Sequence, residues 1–346
     1  MTKGAFRALY QYPLMKKVFL SFLLILLPCL AACAPQGGKV SASLFAMDTY
    51  MQLDIYGSQT DLDAAEAEIQ RLDRLFSSTA PESDISRINN AGTAVIDDDT
   101  LGLLSRSLEL CELTDGYLDI TVYPIVERWG FISKNYSVPE RGELESLLKN
   151  VDYKRVSLNS AEILPEGFKL DLGAVAKGYT ADKLKGLLKS RGVGSAVLNL
   201  GGSVLAYGKK PNGEDWRVGI TDPADTEKYM GVIGCSDKTV VTSGDYERYF
   251  ERDGKRYCHI IDPKTGYPAD NGITSVTVVS DDGTKNDALS TALFVMGADK
   301  AREFIAADGS FDCVILTADK KAYITEGLTD SFTLSNTEYE TAVIRG

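Results

Sequence analysis

From residue 168 onward the apolar runs of this chain are short, and a glycine stands at nearly every joint between them. Runs broken in this way read as strands exchanging places with single helices, not as long buried helices. Residues 168–172 read as a strand, 174–189 as a helix ending near Gly192, and 195–207 and 216–221 as strands. Residues 239–242 read as another strand, and 246–250 and 256–261, joined at Asp253-Gly254, as a hairpin. A strand over 275–280, helices over 287–296 and 300–307, and a hairpin of 313–317 with 322–325 complete the series. Earlier, 47–55 reads as a strand. Ile69, Leu72, Leu75 and Phe76 recur at helical spacing within 62–76, and 101–113 repeats that habit until Asp115-Gly116 stops it. Hairpins mixed with helices predict α+β layers, not a doubly wound parallel sheet. With no linker-like tract and no repeat, residues 45–346 read as one domain.

The first 44 residues stand apart. Lys16 and Lys17 precede an apolar run over 18–27, and Leu30-Ala31-Ala32-Cys33 follows, the order of an export signal with a small-residue cleavage site. The apolar run is shorter than the roughly 20 residues a spanning helix needs. Met15 is the more usual start for such a signal, which makes residues 1–32 a signal peptide and 33–44 a tether. The Leu-Ala-Ala-Cys tetrapeptide resembles a bacterial lipobox, which implies acylation at Cys33, a membrane anchored through lipid, and a location outside the cytoplasm. Residues 1–32 hold Lys3, Arg7, Lys16 and Lys17 and no acid, so 33 of the 37 basic residues remain against 49 acidic ones, a net charge of about −16. That balance argues against a nucleic-acid partner. Cys111, Cys235, Cys258 and Cys313 lack paired spacing, which argues against a zinc site or a disulfide scaffold.

Four segments carry candidate chemistry. Asp171-Leu172-Gly173-Ala174-Val175-Ala176-Lys177-Gly178 sits at a predicted strand-to-helix junction, where small residues let backbone approach a ligand and a helix N-terminus offers N–H groups to a phosphate. It is neither a Walker A loop nor a dinucleotide fingerprint. A tight turn at Gly173 and a solvated Lys177 would explain the segment as well. Asp287 and Thr291 share one face of a predicted helix as hard oxygen donors suited to Mg²⁺, or else cap and pack that helix. His259 is the chain's one histidine, which excludes a polyhistidine metal site and leaves a general base or a structural hydrogen bond. Gly201 and Gly202 interrupt an apolar run, where lost packing is tolerated when something must come close.

Taken in order, Asp-x-Gly-Ala-x-Ala-Lys-Gly, Asn-x-Gly-Gly, His-Ile-Ile-Asp-Pro-x-Thr-Gly and Asp-Ala-x-Ser-Thr-Ala resemble the FAD:protein FMN transferases, the ApbE-type family. Met47-Asp48-Thr49, the Pro81 to Asn89 stretch and Gly116-Tyr117-Leu118-Asp119 extend the resemblance over about residues 45 to 330. It implies a single domain of mixed, largely antiparallel sheets flanked by helices, with FAD in a central cleft. It further implies FAD against Met47, Tyr117, Leu118, Asp119, Asp171, Lys177 and Ile260, Mg²⁺ on the carbonyl of Ala174 and the side chains of Asp287 and Thr291, and His259 as the catalytic histidine. FAD would be a consumed substrate. Its FMN half would pass to a Ser or Thr hydroxyl of an acceptor flavoprotein subunit of a membrane redox system, with release of AMP. Two alternatives differ in outcome: water as the nucleophile, giving an FAD diphosphatase, or a lipoprotein that binds FAD without turnover. One departure bears on the first. Thr79 stands where many members carry a tyrosine, leaving more room for water beside the diphosphate.

Overall fold

A computed structural model describes residues 38–158 and 163–345. The expected signal peptide, Cys33 and the first part of the tether lie outside those residues. The tether's last seven residues do not. Lys39–Ala46 form strand β1, paired antiparallel with β2, Thr49–Tyr56, through the two-residue turn Met47-Asp48. Both turn residues take left-handed backbone angles, φ 50° and 56°, the geometry that matches the twist of a two-residue hairpin. Val40, Ala42 and Leu44 alternate with exposed residues, a period-2 pattern that a tether reading passes over.

Among the described residues nine strands form the main sheet, in the order β1-β2-β3-β4-β7-β10-β11-β12-β14. The added members are β3 (Ser195–Asn199), β4 (Ser203–Gly208), β7 (Lys238–Gly244), β10 (Ile273–Ser280), β11 (Asp312–Thr317), β12 (Lys321–Thr325) and β14 (Glu340–Ile344). All neighbours are antiparallel except β12 and β14. The predicted strand 195–207 is therefore a hairpin, with Gly201 and Gly202 at its turn. The predicted strand 168–172 is only an isolated bridge between Lys169 and Val122. A second layer of three strands, β13 (Phe332–Leu334), β6 (Asp225–Cys235) and β5 (Trp216–Asp222), covers part of one face. The short hairpin of β8 (Tyr249–Arg252) and β9 (Lys255–Cys258) stands apart from both.

Helices α1 (Gln59–Phe76), α2 (Asp84–Ala91), α3 (Asp98–Leu113), α4 (Tyr123–Trp129), α5 (Arg141–Leu147), α6 (Ala176–Ser190), α7 (Gly283–Met296) and α8 (Ala298–Ala307) complete the α+β arrangement. The strand period sorts side chains between the layers. Met51, Leu53 and Ile55 of β2 pack on Leu62 and Ile69 of α1 and Leu184 of α6. Cys313 and Ile315 of β11 join Leu289, Leu293 and Phe294 of α7, while Val314 and Leu316 turn to Val218, Ile220 and Ile233 of the second layer. Among the described residues no helix is long and apolar enough to cross a membrane.

Candidate active site

The Asp171–Gly178 segment is fixed from two sides before it becomes a helix. Asn89 of α2 donates to the carbonyl of Leu170 at 2.9 Å and accepts from its N–H at 2.6 Å. Asp171 N–H then donates to Ile120 at 2.8 Å, tying the segment to the Tyr117–Ile120 turn. Asp171 accepts from Gly173 N–H at 2.7 Å, which turns the chain into α6. Crowding by the cleft walls pushes the Asp171 carboxyl upward, against the nearby charges of Arg248 and Lys177.

Glycine then sets the distance between α6 and α7. A Cβ on Gly178 would lie 2.1 Å from the carbonyl oxygen of Gly283 and 2.8 Å from Cβ of Asp287; one on Gly283 would lie 2.6 Å from the carbonyl of Gly178. Only two glycines facing each other permit this crossing. It carries Asp287, buried, to the first turn of α6, where its Oδ2 accepts from Gly178 N–H at 2.9 Å. Asp287 does not cap its own helix: α7 starts earlier than predicted, at Gly283, and Asp282 caps it by accepting from Lys285 N–H. Lys177, half-buried, brings its ammonium to 3.6 Å from Asp287 Oδ1 and donates to the Gly173 carbonyl at 3.2 Å. One turn along α7 from Asp287, Thr291 approaches Ser243 Oγ at 3.4 Å.

The facing wall comes from residues 245–261. β8 begins later than predicted, because Asp245 to Arg248 form a turn in which Tyr246 folds back over Gly244; a Cβ there would meet the tyrosine ring at 2.4 Å. That turn puts Glu247 and Arg248 into the cleft, two residues that a strand reading hid. Glu247 opens to the cleft, yet crowding by its walls raises its carboxyl to about 7 against the pull of Lys177 and Arg248. Arg248 binds the hairpin tip opposite, its Nη1 3.2 Å from Asp48 Oδ2 and its Nη2 donating to the Asp48 carbonyl at 3.1 Å, while Lys134 reaches Asp48 Oδ1 at 3.4 Å.

His259 follows β9. Its backbone N–H donates to the Arg248 carbonyl at 2.9 Å, and its Nδ1 lies 3.2 Å from the same oxygen. A carbonyl can only accept, so Nδ1 carries the proton and Nε2 keeps its lone pair. Crowding, together with the charges of Arg248 and Lys177, lowers the imidazole to about 4. The ring is neutral at pH 7.

All eleven site positions expected within the domain line one cleft of about 1620 Å³. They do not contribute alike. Leu118 and Ile260 are buried apolar wall. Asp119, also buried, commits its carboxylate to the N–H and hydroxyl of Thr121 and to Tyr153 N–H, and burial raises it. It shapes the turn that presents Tyr117, whose hydroxyl accepts from Lys300 at 2.7 Å and whose ring lies 3.7 Å below the ammonium of Lys264. Met47 is held by its N–H to Asp73 at 2.9 Å. What comes close to Gly201 is Thr49: a Cβ would sit 2.2 Å from its hydroxyl.

Residues 47–315, which contain every one of these positions, match the ApbE family. The chain belongs to that family. Among ApbE relatives, the FAD:protein FMN transferase of Treponema pallidum is 32% identical over 319 residues, 84% of this chain and 88% of that protein. The FAD:protein FMN transferase of Klebsiella pneumoniae is 33% identical over 260 residues, covering 73% and 80%. The crystal structure of the ApbE protein of Thermotoga maritima superimposes with a TM-score of 0.75 at 34% identity, covering 86% of this chain and 97% of that one. For the flavin transferase ApbE of Vibrio cholerae the TM-score is 0.75 at 27% identity, over 85% and 99%. The ApbE fold is thus the α+β arrangement described above, with its antiparallel sheets.

Proposed function

We propose that this chain is an FAD:protein FMN transferase whose reaction runs between the two cleft walls. The observation that carries the reading is the placement of Asp287, Thr291, Lys177 and His259 on one cleft, in a chain that belongs to a transferase family. Ala174, Asp287 and Thr291 offer a carbonyl, a carboxylate and a hydroxyl, hard oxygen donors that suit Mg²⁺, and the Lys177 ammonium already lies beside the Asp287 carboxylate. When bound there, the ion would offset charge on the diphosphate oxygens.

The chain's own residues do the rest. Lys177 and the first turn of α6 draw the diphosphate toward the helix N-terminus. Leu118, Ile260 and Met47 offer apolar wall to the flavin. His259 Nε2 takes the proton from an acceptor Ser or Thr hydroxyl as that oxygen bonds to the FMN phosphorus. The anhydride bond breaks, and AMP leaves with its electron pair. No enzyme nucleophile takes part, and the flavin keeps its oxidation state.

The acceptor on this reading is a flavoprotein subunit of a membrane redox system. The lipobox-like Leu-Ala-Ala-Cys supports a lipid anchor at Cys33 and an exported location that would put both proteins on one membrane face. The test is to incubate the protein with FAD, Mg²⁺ and a purified protein bearing a Ser/Thr-Gly-Ala-Thr segment, the type of acceptor sequence that the family resemblance implies. AMP together with covalently held FMN on the acceptor is the expected result. AMP without bound flavin would mean hydrolysis, and neither product would mean storage.

A further inference from the structure

At about 1620 Å³, the cleft exceeds the roughly 300–1,000 Å³ of a typical small-molecule site. Its lining extends to β2 and β5. Along β2 the residues Tyr50, Gln52 and Asp54 line the cleft at alternate positions, so that strand presents a face; its other face, Met51, Leu53 and Ile55, is core. Along β5 three successive residues, Arg217, Val218 and Gly219, line it although Val218 points into the core. A strand does that only when it lies edge-on. Among the described residues β5 pairs with β6 alone, so its other edge is free.

The second layer covers β4, β7, β10, β11 and β12 and ends at β5, its core reaching only Val197 of β3 and Tyr56 of β2, so among the described residues the rest of the β1–β3 face, with Tyr50, Gln52 and Asp54, stays open to the cleft. At the far end the two layers meet, with the rings of Tyr56 and Trp216 6.2 Å apart. Toward the other end Thr49 and Thr221 line the same cleft as Asp171 and Lys177. Exposed aromatics gather here: Phe45 and Tyr50 pair edge-to-face at 5.2 Å, and the Tyr229 ring lies against Gly219 of β5, where a Cβ would come within 2.6 Å. Tyr50 and Tyr229 are 80% and 62% exposed and line the cleft together with Phe45, and apolar groups gathered at one exposed place mark an interaction surface. Free edges of this kind are ordinarily covered or blunted.

We infer that this face docks the acceptor: an extended polypeptide segment of the flavin-receiving protein pairs with the free edge of β5 and lies over β2 and β3, its hydroxyl residue reaching the cleft at the Thr49 end. This rests on the transferase reading above. An added strand would continue the second layer at the spacing of stacked sheets, about 10 Å, with alternate side chains falling on Phe45, Tyr50 and Tyr229. Continuity with the reaction cleft selects this occupant, because a protein hydroxyl has to arrive there, and an extended chain is the shape that enters a slot between a strand edge and a sheet face.

Tyr50→Ser and Tyr229→Ser test it, both at exposed positions, with an unchanged Tm showing that each variant keeps the fold. With a purified protein bearing a Ser/Thr-Gly-Ala-Thr segment as acceptor, each variant is expected to raise the acceptor KM about tenfold, as truncating an interface anchor does. The FAD KM and acceptor-free AMP release stay at wild-type values. If wild type transfers and both variants keep its acceptor KM, the docking surface is wrong and the transferase reading stands. A variant that alters the oligomeric state while keeping the acceptor KM assigns the face to a second copy of the chain and also overturns it. Wild type that fails to transfer overturns both readings.

Discussion

Across the cleft, the α6–α7 wall is held by backbone meeting backbone, whereas the 245–261 wall is held by stacked rings. Gly178 and Gly283 admit no side chain between their helices, so the crossing itself sets where Asp287 meets the first turn of α6 and Lys177. Opposite, Phe250 stacks on Tyr136 at 5.0 Å and on Tyr257 at 5.2 Å, and Phe131 meets the His259 ring edge-on at 6.4 Å. Arg248 and Asp48 bridge from there to the β1–β2 tip through exposed charges, an attachment that water and salt weaken. The difference matches the work proposed for each wall. Holding an ion and a diphosphate calls for fixed donors, while receiving a protein hydroxyl calls for a neutral base on a surface that a partner can approach.

Replacing Asp287 should have the largest effect. Asp287→Ala removes one of two side-chain donors, and AMP release in the presence of Mg²⁺ is expected to fall below detection while the fold survives. Near-normal AMP release at low Mg²⁺ would reduce Asp287 to a partner for Gly178 N–H and remove the contrast between the walls.

His259→Ala should act on the other wall alone, slowing transfer by roughly 10² to 10⁴-fold, the usual worth of a positioned base, without weakening FAD binding. Because the imidazole is lowered to about 4, its neutral form is present above that pH and lost as pH falls through it. The wild-type acid limb in kcat/KM is therefore expected below pH 5 and not near the 6.5 of a free histidine. The mutant deficit should narrow as pH rises. A pH profile shared by mutant and wild type would leave His259 a structural role.

Smaller still is the effect expected of Gly178→Ala. The added Cβ has no space at the helix crossing, and forcing it in costs about 1–3 kcal/mol. A lowered Tm and a raised Mg²⁺ requirement should appear together, since the same shift moves Asp287. A lowered Tm alone would separate the crossing from the donors.

The slightest change is expected from Thr79→Tyr. Thr79 is exposed at the cleft margin after α1, and a ring there would help exclude water. Wild type should release AMP slowly without an acceptor, and the variant less, as AMP formed per protein-bound flavin. Equal ratios would take Thr79 out of the account.

The two walls were also unequally legible in the sequence. The helical wall announces itself locally, since Asp171 to Gly178 and Asp287 to Thr291 are short motifs whose spacing is a property of one helix each. What could not be read is that Gly178 and Gly283, 105 positions apart, face each other, because close approach is a fact about two segments. On the other wall His259 stood out as the one histidine, but Glu247 and Arg248 sat inside an apparent strand. The turn that exposes them depends on Tyr246 folding over Gly244, a packing event with no periodic trace. Strands β1, β6, β13 and β14 escaped for a related reason. They are half-exposed or peripheral, and their pattern becomes decisive only once a neighbouring strand is in place. The break at Gly201 was readable as a close approach, though not that Thr49 is what approaches or that a hairpin turns there.

The most direct measurement is the Mg²⁺ concentration giving half-maximal AMP release from FAD in wild type, Asp287→Asn and His259→Ala, with acceptor in excess. If one wall holds the ion and the other moves the proton, Asp287→Asn shifts the midpoint upward by about tenfold or more, the loss of one charged ligand. His259→Ala keeps the wild-type midpoint at a lower plateau. A midpoint that moves in His259→Ala, or one that stays put in Asp287→Asn, would contradict the division.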